Sequence, residues 1–247
     1  MIDIIIPVYN TPTNDLERCL QSIQNQTSSN YLVHIIDDGS NEETKNYLDE
    51  FVANKDNFTV THIPNGGVSN ARNIGIDIST NEYLAFVDAD DTVERNFIEE
   101  SYKLIKDNNL DIVIGGYNEI KNNEITKVRQ SMPGLHIYEG ETIINFFEKL
   151  LTSKTNETNQ EIGDCPTGRI YTRIFSRKSL GDLRFNKNIK MSEDTLFMID
   201  YMDKVKRIGV TNSIWYNYYI NDYSISNGTK KEKMINNIQG FIEEITK

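Results

Sequence analysis

The first hundred residues alternate between two periodicities, and that alternation restricts the fold more than any other feature of the chain. Ile2–Val8 is a short, nearly all-apolar run rich in β-branched residues, the pattern of a strand covered on both faces. The stretch Asn14–Gln26 then carries apolar residues at 16, 19, 20 and 23, a helical spacing, with Asn14 placed to cap it. Tyr31–Ile36 reads as a strand, Glu42–Asn54 as a helix, and Phe58–Ile63 as a strand stopped by Pro64-Asn65-Gly66-Gly67. Ser69–Ser79 follows as a helix with a Ser cap, and Tyr83–Val87 as a fourth strand. Strand alternating with helix requires right-handed crossovers. The prediction is an α/β fold on a mainly parallel sheet flanked by helices.

Beyond residue 94 the pattern loosens. Phe97–Lys106 is expected to be helical and Asp111–Tyr117 a strand. Glu119–Arg129 is expected to be a hairpin turning at Lys121-Asn122-Asn123-Glu124, and Gly140–Leu151 an amphipathic helix. Thr152–Glu161 has no apolar residue and reads as a mobile loop. Ser192–Lys204 is expected to be a helix and Ile214–Ile220 an aromatic-rich strand. Lys230–Lys247 holds apolar residues at 234, 235, 238, 241, 242 and 245, one helical stripe still running where the chain stops. A truncated chain, or a helix that docks on a membrane surface or a second copy, would look like this.

Composition removes several functional classes. The 247 residues suit one large domain, and no apolar run approaches the ~18 residues of a membrane-spanning helix. A formal net charge of −11 repels phosphate backbones, so nucleic-acid binding is not expected. Cys19 and Cys165 cannot make a disulfide framework or a four-ligand zinc site. The start Met1-Ile2-Asp3-Ile4 has no basic leader, and the expected location is the cytoplasm.

In an open parallel sheet the ligand site lies beyond the carboxyl ends of the strands. The segments that follow the four strands are Pro7-Val8-Tyr9-Asn10, Asp37-Asp38-Gly39-Ser40, Asn65-Gly66-Gly67 leading to Ser69-Asn70-Ala71-Arg72-Asn73, and Asp88-Ala89-Asp90-Asp91. Three carboxylates within four residues repel one another unless a cation is bound, and hard oxygens suit Mg²⁺ or Mn²⁺. An acidic cap for the helix near Glu94 is the alternative. Asp37-Asp38-Gly39-Ser40 serves equally as a turn and helix cap, and Arg72 as a surface ion-pair partner. No Gly-x-Gly-x-x-Gly or P-loop is present, so a nucleotide would have to be held by metal and side chains.

These four motifs, in this order and each at a strand end, resemble the family-2 glycosyltransferases of the GT-A fold, of the bacterial surface-polysaccharide and wall teichoic acid type. The match is strong over residues 1–117 and weak to about 226. The resemblance implies a nucleotide-sugar half at 1–117, an acceptor and catalytic-base half at 118–229 of the same domain, and a C-terminal helix at 230–247. It implies that Pro7 and Tyr9 line the base pocket, that Asp38 bonds the uracil edge and that Arg72 approaches the nucleotide. Asn10, Gly67 and Ala89 join the same set of donor contacts. Asp88 and Asp90 become the Asp-x-Asp pair, Asp88 towards the ribose and Asp90 on the metal that bridges the diphosphate. Met191-Ser192-Glu193-Asp194 matches the family's Glu-Asp pair, with Asp194 as base, Glu193 as support and Asp91 grouped with them as catalytic. From the residues alone the same pair is an N-cap with an acidic first turn.

Arg169 stands where relatives carry a Lys, and the Trp many relatives have nearby is absent. Ser224 and Ser226, with Asp222 and Tyr223, are candidates for touching the diphosphate. His34 and His62 lie within strands and read as packing residues rather than ligands, and the tyrosines around Trp215 as core. The activity implied is metal-dependent, inverting transfer from a UDP-sugar to a hydroxyl of a cell-surface glycan, a teichoic acid or a lipid-linked acceptor. Two other readings are a sugar nucleotidyltransferase and an inactive binding module of the same fold.

Overall fold

Each apolar run of the first hundred residues forms a strand and each helical stripe a helix. The computed structural model describes residues 1–152, 169–189 and 192–220. In chain order the elements are β1 (Ile2–Val8), α1 (Thr13–Gln24), β2 (Tyr31–Asp37), α2 (Glu42–Val52), β3 (Phe58–His62), α3 (Val68–Ile78), β4 (Tyr83–Phe86), β5 (Thr92–Val93) and α4 (Phe97–Asp107). They continue with β6 (Ile112–Lys121), β7 (Glu124–Arg129), β8 (Leu135–Glu139), α5 (Glu141–Thr152), β9 (Arg173–Ser176), α6 (Arg177–Leu180), α7 (Glu193–Met202) and β10 (Arg207–Tyr219). The expected helix 230–247, Cys165 and all but the first residue of the expected loop 152–161 lie outside the described residues.

One sheet carries the strands in the order β3-β2-β1-β4-β9-β6-β10-β5, with β7 beside β6 and β8 beside β10. The first four strands are parallel, as their crossover helices require. The second half departs from the expected mainly parallel sheet. There β9 runs antiparallel between β4 and β6, and β10 is parallel to β6 but antiparallel to β5 and β8. The division expected at 117/118 falls inside β6, so the two halves share a strand.

Side-chain alternation feeds two cores, one on each face. Ile4, Ile6, Val33, Ile35 and Val113 pack with Leu16, Leu20, Leu48, Phe97 and Trp215, which seats α1, α2 and α4 on one face. Ile5, Ile36, Phe86, Ile112 and Ile114 pack with Ile76, Phe146, Phe197 and Tyr201, which seats α3, α5 and α7 on the other. Gly75 sets the α3 distance: a Cβ there would lie 2.3 Å from Ile5 Cγ2.

The expected caps at Asn14 and Ser69 are not formed. Helix α1 enters through Pro12, whose ring presets a helix-compatible φ, and α3 through Gly67 at φ 86°, neither with a side-chain cap bond. The cap that does form is Asn41, whose side chain accepts from the Thr44 amide at 2.9 Å. The hairpin turn is as expected: Asn122 and Asn123 both take positive φ, the conformation Asn tolerates best after glycine.

Candidate active site

The register of β1 on β2 sets Val8 opposite Asp37, and β3 ends with His62 beside Asp37. The loops after β1, β2, β3 and β4 therefore open on one edge, the carboxyl edge where this class of sheet binds ligands. Tyr9 is 56% exposed there. The β4 ladder stops at Ile5, leaving Pro7 free of a partner strand on that side, which its missing N–H tolerates.

Asn10 and Asp38 build the loops around this edge. The Asn10 amide donates to Ser40 Oγ at 2.9 Å, and its side-chain oxygen accepts from the Asn41 amide at 2.8 Å. Asp38 is almost fully buried, and its two carboxylate oxygens accept the amides of Gly66 and Gly67 at 2.7 and 2.8 Å. It shapes the entry to α3, and any bond to a uracil edge would use the lone pairs that remain. Asp37 accepts from the Ser40 amide at 3.0 Å and meets His62 Nδ1 at 2.7 Å, while His34 meets the buried Asp3 at 3.1 Å. Both histidines are thus held by carboxylates inside the sheet, not placed as metal ligands.

Arg72 is the centre of the site. It is 4% exposed, and three carboxylates from two distant parts of the chain share its guanidinium. Its Nη2 donates to Asp88 at 3.0 Å, and its Nη1 donates to Glu193 at 3.1 Å and to Asp194 at 2.8 Å. Burial opposes the Arg72 charge, but Asp194, Asp88 and Glu193 more than offset it and raise its pKa above the ordinary value. Burial also pushes the Asp194 carboxyl up to about 7, helped by Glu193 and Asp88 and resisted by Arg72. The segment before α7 is fixed by Asn73, the neighbour of Arg72. Its side-chain amide donates to the Phe185 carbonyl at 2.9 Å and accepts the Phe185 amide at 2.7 Å. Phe185 in turn stacks on Phe197 of α7 with ring centroids 3.9 Å apart. Sequence reasoning missed Asn73, although it adjoins Arg72 in the same motif.

The three carboxylates after β4 separate by role. Asp88 faces Arg72, whereas Asp91 is turned inward, 1% exposed. One Asp91 oxygen accepts from Tyr216 Oη at 2.8 Å and the other from the Tyr219 amide at 2.8 Å. Burial, with Asp90 and Asp88 adding to it, holds the Asp91 carboxyl well above the usual range. This corrects the grouping of Asp91 with the catalytic residues, because no oxygen of it reaches an open surface. The Ala89 methyl lies in the core, so a contact from this residue to a donor would come from its backbone.

Asp88 and Asp90 offer hard oxygens, and among the described residues no cluster of three His, Cys, Asp or Glu side chains completes a cage. Two neighbouring carboxylates of this kind suit a divalent cation that takes its other ligands from substrate phosphates and water. Arg169 meets the hydroxyl of Tyr171, and its guanidinium lies 4.9 Å from the Tyr218 ring centroid and 5.4 Å from that of Tyr117. Ser224 and Ser226, with Asp222 and Tyr223, are outside the described residues.

The loop Asp88-Ala89-Asp90, the pair Glu193 and Asp194 on a later helix and the arginine that joins Asp88 to that pair thus meet on one α/β sheet. The chain belongs to glycosyl transferase family 2, whose family model matches residues 3–183. It is 28% identical over 244 residues to the poly(ribitol-phosphate) beta-N-acetylglucosaminyltransferase TarP of Staphylococcus aureus, covering 96% of this chain and 68% of TarP. Over 118 residues it is 36% identical to glycosyltransferase GlyG of Streptococcus pneumoniae, covering 47% of this chain but 39% of that one. In fold it matches S. aureus TarS 1–349 in complex with UDP-GlcNAc, with a TM-score of 0.74 at 22% identity over 93% of this chain and 61% of that one. The fold is therefore GT-A. The chain spans well under half of GlyG.

Proposed function

We propose that the chain transfers a sugar from a UDP-sugar to a hydroxyl of a cell-surface glycan, a teichoic acid or a lipid-linked acceptor, with inversion and with Mn²⁺ or Mg²⁺. The observation that carries this is the bridge at Arg72, which holds the donor-side Asp88 and the pair Glu193 and Asp194 on one guanidinium. Donor chemistry and base chemistry thereby share one site. TarP and TarS supply the analogy for a UDP-sugar donor and an anionic polymer acceptor.

In this mechanism Tyr9 and Pro7 flank the base, and Gly67 opens the loop that receives the nucleotide. Asp90, with Asp88, would hold the cation, which would supply positive charge against the departing diphosphate. Arg72 adds a fixed positive charge beside it. Asp194 takes the proton from the acceptor hydroxyl, whose oxygen attacks the anomeric carbon from the face opposite UDP. The new bond forms as the bond to UDP breaks, and the sugar inverts in one displacement. Glu193 shares Nη1 of Arg72 with Asp194 and so orients it. Arg169, beside three tyrosines, faces the acceptor or the diphosphate. The reaction is assigned to the cytoplasm, with a contact to the membrane surface or a second copy through 230–247.

A UDP-release assay over a panel of UDP-sugars with Mn²⁺ tests this. Asp194→Asn is expected to lower transfer by roughly 10²–10⁴-fold, and Asp90→Ala to abolish its response to metal. Transfer left intact in either variant overturns the assignment.

A further inference from the structure

The Asp88–Asp91 loop is held from behind by groups that the proposed chemistry does not use. Tyr216 of β10 is 1% exposed, and its hydroxyl accepts the Asp88 amide at 3.1 Å while donating to Asp91 at 2.8 Å. Its ring is fixed by Tyr171, parallel within 8° at a centroid distance of 4.4 Å. Asp91 also accepts the Tyr219 amide three residues along β10. From the other side Arg18 of α1 donates to the Asp90 carbonyl at 2.7 Å, pairs with Asp15 at 2.8 Å and lies 3.8 Å over the Tyr219 ring. Loop, β10 and α1 are therefore joined around Asp90 by one closed set of contacts, whose partners lie 72 and 125 residues apart for the Arg18 and Tyr216 bonds.

We infer that Tyr216, Asp91 and Arg18 form a brace whose role is to positon the Asp88 and Asp90 carboxylates for the donor, making them positioning residues rather than parts of the scaffold at large. A bond at the Asp88 amide and another at the Asp90 carbonyl fix the backbone on both sides of Ala89, so the two flanking carboxylates are presented without having to be ordered when the donor arrives. Pre-organisation of this kind is read out as donor affinity. The inference rests on the donor reading given above.

Tyr216→Phe removes a single hydroxyl and keeps the stacked ring. In the metal-free, donor-free protein it is expected to raise the hydrogen-exchange rate of the Asp88 amide about ten-fold while leaving core β1 amides unchanged. With Mn²⁺ it is expected to weaken UDP binding about ten-fold, raising the donor KM more than it lowers kcat. Arg18→Met removes the guanidinium, and with it the bond to the Asp90 carbonyl, the Asp15 pair and the contact over Tyr219, and is expected to weaken UDP binding in the same direction. Should Tyr216→Phe fail to fold, Arg18→Met carries the test. Tyr31→Phe is the control, since its buried hydroxyl bonds the Ile23 carbonyl away from the loop, and UDP affinity should be unchanged. Wild-type UDP affinity in Tyr216→Phe and Arg18→Met, or an equal loss in Tyr31→Phe, overturns the brace. A wild-type protein that binds no UDP with Mn²⁺ overturns the donor reading and the brace's role in it, whereas the exchange rate at Asp88 reports the contact independently.

Discussion

At the scale of single residues, the site depends on how one arginine is divided among three carboxylates. Asp194 suits the proposed role of base because burial raises it while Arg72 restrains the rise, leaving its pKa at about 7. A base must have lost its proton to accept another, so kcat is expected to climb as pH rises through about 7 and to level off above it. A kcat profile measured between pH 5 and 9 checks this, and one that is flat down to pH 5 contradicts the assignment. The family resemblance picks out Arg72, Glu193 and Asp194, whereas residue types alone leave Arg72 a surface ion-pair partner and Glu193-Asp194 a helix cap; Asp88 stands out unaided because it belongs to an acidic cluster after a buried strand. The inward turn of Asp91 was not legible. Three aspartates in four positions look alike in sequence, and the group that selects Asp91 for burial is Tyr216, 125 residues away.

At the scale of elements, the helices that carry the site are positioned by close contacts to the sheet. Helix α3 brings Arg72, and Gly75 lets it lie against β1. Gly75→Ala would drive a Cβ into Ile5 Cγ2 and is expected to cost about 1–3 kcal/mol of stability, measured by denaturant unfolding, and to cost less in a background where Ile5→Ala has already removed that carbon. Strand β3 is tied by His62, whose bond to Asp37, against burial and with the help of Asp49, raises its pKa. A raised histidine stabilises fully below its unfolded value of about 6.5 and loses that contribution as pH rises through the folded value. The melting temperature of wild type relative to His62→Gln is therefore expected to fall as pH rises above about 6.5, and a constant difference would contradict it.

Periodicity exposed the early elements because each strand there is an unbroken apolar run. It failed for β9, where Arg173 and Ser176 interrupt the run although all four residues are buried. It also shortened β10, which was expected to begin at Ile214 and begins at Arg207. Thr211, Asn212 and Ser213 hide its first half, yet β6 pairs with β10 before and after that stretch and β8 pairs with Arg207–Thr211.

Across the whole molecule, charge is divided unevenly. Residues 1–117 hold 20 of the 37 Asp and Glu residues but 7 of the 26 Lys and Arg residues. An acidic half repels a diphosphate, so the proposed donor binding is expected to need a cation on Asp88 and Asp90 in addition to Arg72. Calorimetric titration of the chain with UDP, GDP, CDP and dTDP, each with Mn²⁺ and with EDTA, measures this need for a cation. The expected result is binding that favours UDP and disappears with EDTA. Absence of UDP binding with Mn²⁺, or UDP binding of equal strength in EDTA, would contradict it.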